Sequence, residues 1–161
     1  MGVDSFGKML DDWETSRDRN RKALDNDELT HRKILALVPE FWESIVGPVR
    51  KRFNTFNQRV GEDHAFSVTS EGDYHLEAIK ESYPKAVFTM GINPDFPMLS
   101  YSGNNGMRKF YKSYFLRLDD TNIYLEAANK DESLQKKHVP LKNLESEALL
   151  PFLASVLTSI K

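Results

Sequence analysis

The stretch "GNNGMRKFYKSYFLRL", residues 103 to 118, sets four cations and four aromatic rings, Phe110, Tyr111, Tyr114 and Phe115, directly after a turn signal. Rings of this kind stack on unpaired bases and cations neutralise phosphates, so the chemistry on offer is binding of a single-stranded nucleic acid. Alternate residues of a strand point to opposite faces. One set is Arg108, Phe110, Lys112, Tyr114, Leu116 and Leu118; the other is Met107, Lys109, Tyr111, Ser113, Phe115 and Arg117.

The register expected from the turns favours a structural role. With "GNNG" closing a hairpin, Ser102 falls opposite Met107 and Pro97 opposite Lys112. Proline cannot donate to the ladder, so pairing with the fourth strand is expected to stop near there. "DDTN" sets Leu118 against Ile123, and the fifth strand becomes a long one that bridges the sheet and is covered on both faces along part of its length. Aromatic residues are what strands prefer in any case. The octamer of RNA-recognition sheets needs glycine after its first cation and a small residue two places later, where "RKFYKSYF" has Lys109 and Tyr111.

The inventory for catalysis is thin. His31, His64, His75 and His138 show no HExxH, no triad signature and no metal-ligand spacing, and without cysteine there is no thiolate site, no disulfide and no cysteine nucleophile. His75 and Glu77 project from one face of a strand, an arrangement that can pair a general base with its orienting carboxylate. The same pair is also what a solvated strand face carries. "GNNG" lies between two strands, whereas phosphate loops lead from a strand into a helix. Asp119 with Asp120, and Glu71 with Asp73, frame turns. The sequence therefore predicts no enzyme, no cofactor and no metal.

Composition bounds the rest. The 161 residues suit one domain, and a charged fraction of 29% with 40% apolar residues is that of an ordinary soluble protein. No apolar run approaches a membrane span, and the acids of "MGVDSFGKMLDDWE" stand where a signal peptide needs an apolar stretch, so a cytoplasmic protein is expected. Phe6 occupies the place where myristoylation asks for Ser or Thr. The net charge of −2 hides blocks: residues 31 to 60 carry six cations and two anions, and residues 61 to 79 carry five anions and no cation.

The elements follow from periodicity. Phe6, Met9, Leu10 and Trp13 form one apolar stripe at helical spacing, and "ETSRDRNRK" after it has no apolar residue, so residues 1–27 form a helical arm without a core of its own. Residues 28–161 form a single α+β domain. Its strongest helix signal is Phe41, Trp42, Ile45, Val49, Phe53, Phe56 and Val60, with Pro39 at the expected start, a kink or break expected at Gly47 and Pro48, and Gly61 as cap. Six short alternating runs follow, "AFSVT", "YHLEAI", "AVFTMGI", "MLSYS", "MRKFYKSYFLRL" and "IYLEAA", and their short connections require an antiparallel meander. "LESEALLPFLASVLTSI" closes the chain as a helix whose first turn Pro151 can split off. The predicted class is α+β: N-terminal helices, a six-stranded antiparallel meander, and a C-terminal helix packed on one sheet face, the same face as the long helix.

This layout resembles the helix-grip arrangement of lipid- and hormone-binding proteins, although no motif carries the likeness. It implies a cavity lined by Phe88, Tyr101, Tyr114 and Phe115; the terminal helix here, at most about four turns, departs from the long one of that family, and a filled core is the reading favoured over a cavity. Three functions are thus open. The leading one is a small intracellular, non-enzymatic domain that binds a protein partner or itself through Phe6, Met9, Leu10 and Trp13 and through Arg108, Lys109, Tyr111, Lys112, Ser113 and Arg117. The others are a single-stranded nucleic-acid binder using the fifth strand and a carrier of small apolar ligands.

Overall fold

The computed structural model describes residues 2–70, 72–120, 122–127 and 144–160, so Glu71, His138 and the last residue of "IYLEAA" lie outside it. The chain divides into two compact units, Met1–Lys33 and Ile34–Lys161. Helix α1 is assigned over Gly2–Val60 and contributes to both.

In the first unit none of the described side chains is buried. The polar run "ETSRDRNRK" is helical like its neighbours, supported by local contacts. Thr15 Oγ1 donates to the Asp11 carbonyl at 3.0 Å, Arg32 pairs with Glu28 at 2.7 Å one turn away, and the Arg17 guanidinium lies 5.1 Å from the Trp13 ring centre.

In the second unit the helical stretch buries Ile34, Val38, Trp42, Ile45, Val49, Phe53 and Phe56, every third or fourth residue. Neither proline interrupts it. Pro39, expected at a helix start, and Pro48, expected at a kink or break, both lie inside the assigned helix. Each costs about 3 kcal/mol in lost bonding and clash, and the packed face on either side outweighs that local preference. Gly61 ends the helix with φ 83°, and its N–H donates to the Asn57 carbonyl at 3.1 Å. Asn57 then fixes the exit: its amide donates to the Phe66 carbonyl at 2.9 Å and accepts from the Phe66 N–H at 2.8 Å.

Six strands follow: β1 (Ser67–Thr69), β2 (His75–Lys80), β3 (Ala86–Asn93), β4 (Met98–Asn104), β5 (Lys109–Asp119) and β6 (Asn122–Ala127). They pair antiparallel in chain order, as expected of a meander. The β5–β6 register sets Leu118 against Ile123, as the turn chemistry predicted. The β4–β5 register is displaced by four residues from expectation, because Lys112 pairs with Tyr101 and not with Pro97. The turn is Asn105–Arg108 rather than "GNNG": the Asn105 carboxamide oxygen accepts from the N–H groups of Met107 (3.0 Å) and Arg108 (2.7 Å), and Gly106 takes φ 84°. Pro97 still ends the ladder, where its carbonyl accepts from the Leu116 N–H at 2.7 Å.

A six-residue π-helical turn, Leu144–Leu149, leads into helix α2 (Leu150–Ser159), and Pro151 sits in the first turn of α2. Phe152 on α2 meets Phe66, Phe88 and Phe110 at ring distances of 6.1, 5.9 and 6.0 Å, while Phe53 on α1 meets Phe88 at 5.6 Å. Both helices therefore cover one face of the sheet. Leu76, Ala78, Phe88, Met90, Leu99, Tyr101, Tyr114, Leu116 and Leu125 fill that interface. Close packing extends to the backbone: a Cβ on Gly103 would lie 2.5 Å from Phe110 Cε1, so the Phe110 ring uses the space that only glycine leaves.

Candidate functional site

The register decides what β5 displays. Directly paired residues share a face, and the row Glu77, Thr89, Ser102, Tyr111 runs across four strands opposite to the helices. None of the described residues on this second face is buried. Lys109, Tyr111, Ser113 and Arg117 stand on it. Lys112, half-buried, stands on the helix-covered face beside Tyr101, and Arg108 lies in the exposed turn. The six residues read as one interaction surface are thus split among two faces and a loop, because successive strand residues point opposite ways. Arg117 is further committed: its Nε donates to Glu126 at 2.9 Å and its guanidinium lies 5.0 Å from the Phe115 ring centre.

The middle of the open face is a shallow trough of about 120 Å³, with Thr89, Gly91, Ser100 and Ser102 as floor between His75 and Tyr111. Thr89 and Ser102 share a hydroxyl–hydroxyl hydrogen bond of 2.7 Å. The trough offers hydrogen bonds and one exposed ring. His75 Nε2 and Glu77 Oε2 beside it are 3.9 Å apart, beyond hydrogen-bond reach, and both side chains are well solvated. No group of three or more metal-ligating side chains is found among the described residues.

The aromatic residues assigned to a ligand cavity do not line one space. Phe88, Tyr101 and Tyr114 are packed in the core, where the two tyrosine hydroxyls meet at 3.3 Å. Phe115 projects from the open face instead, opposite Met98. The parity of β5 separates it from Tyr114.

Phe6, Met9, Leu10 and Trp13 remain on the surface of the first unit, 57%, 59%, 43% and 57% exposed. They share one helix face, as their spacing requires.

Sequence reasoning passed over two side chains, Lys80 and Asn105, which are the buried polar residues among those described. Lys80 stands on the core face of β2 in line with Leu76 and Ala78, and its ammonium donates to the carbonyls of Ser82 (3.1 Å) and Pro84 (2.9 Å). Burial holds it below the ordinary lysine value. The signal was available: a lysine at the third apolar-parity position of "HLEAIK". Asn105 carried the signal of any Asn-Gly turn, but its inward anchoring, with Nδ2 donating to the Phe152 carbonyl at 3.4 Å, depends on α2. No helix among the described residues is long and apolar enough to cross a membrane. The chain matches no protein-family model, and no curated protein or solved structure matches it.

Proposed function

We propose that the chain is a non-enzymatic binding protein of the cytoplasm that associates with a second copy of itself through its N-terminal helix. One observation supports this reading above the others: the stripe Phe6, Met9, Leu10 and Trp13 stays in water, on a helical unit with no buried side chain among its described residues. Most helical stability in proteins comes from packing an apolar face, so such a stripe calls for a covering surface.

A second copy fits by symmetry. The spacing from Phe6 to Met9, Leu10 and Trp13 is palindromic, and so is the order of residue types, aromatic at the ends and unbranched or γ-branched in the middle. Two antiparallel copies set Phe6 against Trp13 and Met9 against Leu10 in both directions at once, the self-complementarity an isologous contact needs. Four side chains bury less than the roughly 1,200 Å² of a stable interface. The pair is therefore concentration-dependent.

Sedimentation velocity from micromolar to millimolar protein tests this. The wild type is expected to pass from monomer to dimer, and the F6D/W13D variant to stay monomeric. L29D changes an exposed apolar residue of the same unit about 150° away around the helix, and it should leave the dimer intact. A wild type that is monomeric throughout, or a dimer that L29D dissolves equally, defeats the proposal. The nucleic-acid reading has less support, since Lys112 and Arg108 do not share the face of Lys109 and Arg117.

A further inference from the structure

Three segments of the second unit converge on a cleft of about 680 Å³. The β2–β3 connection supplies Tyr83 and Lys85, the β4–β5 turn supplies Asn105 and Met107, and the last turn of α2 supplies Thr158 and Ser159. Tyr83 and Met107 are the two most exposed large apolar side chains among the described residues, at 90% and 73%.

The same cleft accounts for both buried polar side chains. A buried ammonium or amide is costly unless its hydrogen bonds are met. Lys80 directs its two bonds at the Ser82 and Pro84 carbonyls, on either side of Tyr83. Asn105 directs its bonds at the N–H groups of Met107 and Arg108 and at the Phe152 carbonyl of α2. Ser159 Oγ reaches Met107 Sδ at 3.0 Å. Two of the three segments, the β2–β3 connection and the β4–β5 turn, are thus each fixed from beneath by one buried polar group, and each of these two presents one apolar side chain to water. Walls held this way lose little freedom when a ligand enters.

We infer that the cleft is a binding site for a small aromatic anion, a planar ring system bearing a carboxylate or sulfonate. The ring contacts the Tyr83 phenol and the Met107 thioether, both of which favour aromatic partners. The acid group meets Lys85, the one charged side chain among the described lining residues. The volume falls within the range of about 300–1,000 Å³ typical of drug-sized ligands.

The probe is 8-anilinonaphthalene-1-sulfonate, titrated into the full-length protein and followed by its fluorescence and by backbone amide shifts. Saturable binding is expected, with shifts confined to residues 82–86, 105–108 and 157–160. The exposed substitutions K85E and Y83S leave the fold intact and should each weaken binding about tenfold. F6D/W13D should bind as the wild type does, so failure of self-association and failure of this site are read separately. Absence of binding, shifts centred on the N-terminal stripe or the open sheet face, or unchanged affinity in K85E would each overturn the assignment.

Discussion

Lys80 shows how one side chain ties a surface loop to the core. Its ammonium is fully buried at the end of β2 and holds two carbonyls of the following loop. Lys80→Met keeps the stem and removes the donor, leaving both carbonyls without it. The expected cost at neutral pH is about 1–3 kcal/mol of unfolding free energy. Lys80 also sets a pH dependence. Burial lowers its pKa from 10.5 in the folded chain, so between that lowered value and 10.5 the unfolded chain binds more protons than the folded one. Stability then rises with pH through this alkaline window and is flat below it with respect to this group. Urea unfolding of the wild type and K80M across the window checks the sign. The difference between them should grow in favour of the wild type as pH approaches 10.5, and a difference that shrinks refutes the assignment of Lys80 as a buried cation.

At the scale of elements, β5 is where sequence and structure part company. Its length, its aromatic content and its division into two sets by parity are all readable in "MRKFYKSYFLRL". Its register with β4 is not, because two turns compete: "GNNG" satisfies glycine preferences, whereas Asn105–Arg108 also satisfies two N–H groups with the Asn105 side chain. The displacement is four residues, an even number, so each residue keeps the face that parity assigned to it. The β4–β5 pair also carries a testable packing detail. Gly103 lies directly opposite Phe110, and an added Cβ would meet that ring at 2.5 Å and Phe152 Cδ2 at 3.1 Å. Gly103→Ala should therefore cost about 1–3 kcal/mol by overpacking. In an F110A background its added cost should fall, a coupling that a thermal or urea double-mutant cycle measures. Additive costs would mean the ring is not what excludes the methyl group.

For the whole molecule, the division after Lys33 separates a helical unit without a core from a unit that owns all the buried residues described. Stability and association should accordingly be separable. At dilutions where the proposed dimer is dissociated, F6D/W13D should unfold within about 0.5 kcal/mol of the wild type, since neither side chain is buried. At high concentration the wild type should gain stability by mass action and the variant should not. A variant that unfolds much earlier at every concentration would show the stripe to be part of the fold's own packing.

The sequence by itself determined the class and order of the elements, since helical and alternating periods and connection lengths are local properties of the chain. It also determined the apolar stripe of the first unit, whose geometry is that of one helix. Only the tertiary structure decided which face of the sheet the helices cover, and with it that Lys109 and Tyr111 are exposed on the open face while Lys112 is half-buried on the covered one. It alone brought residues 83–85, 105–107 and 158–159 to one cleft. Such convergence comes from long-range packing of β2, β4 and α2, which no local period encodes, and from two buried polar side chains whose partners are set by the fold.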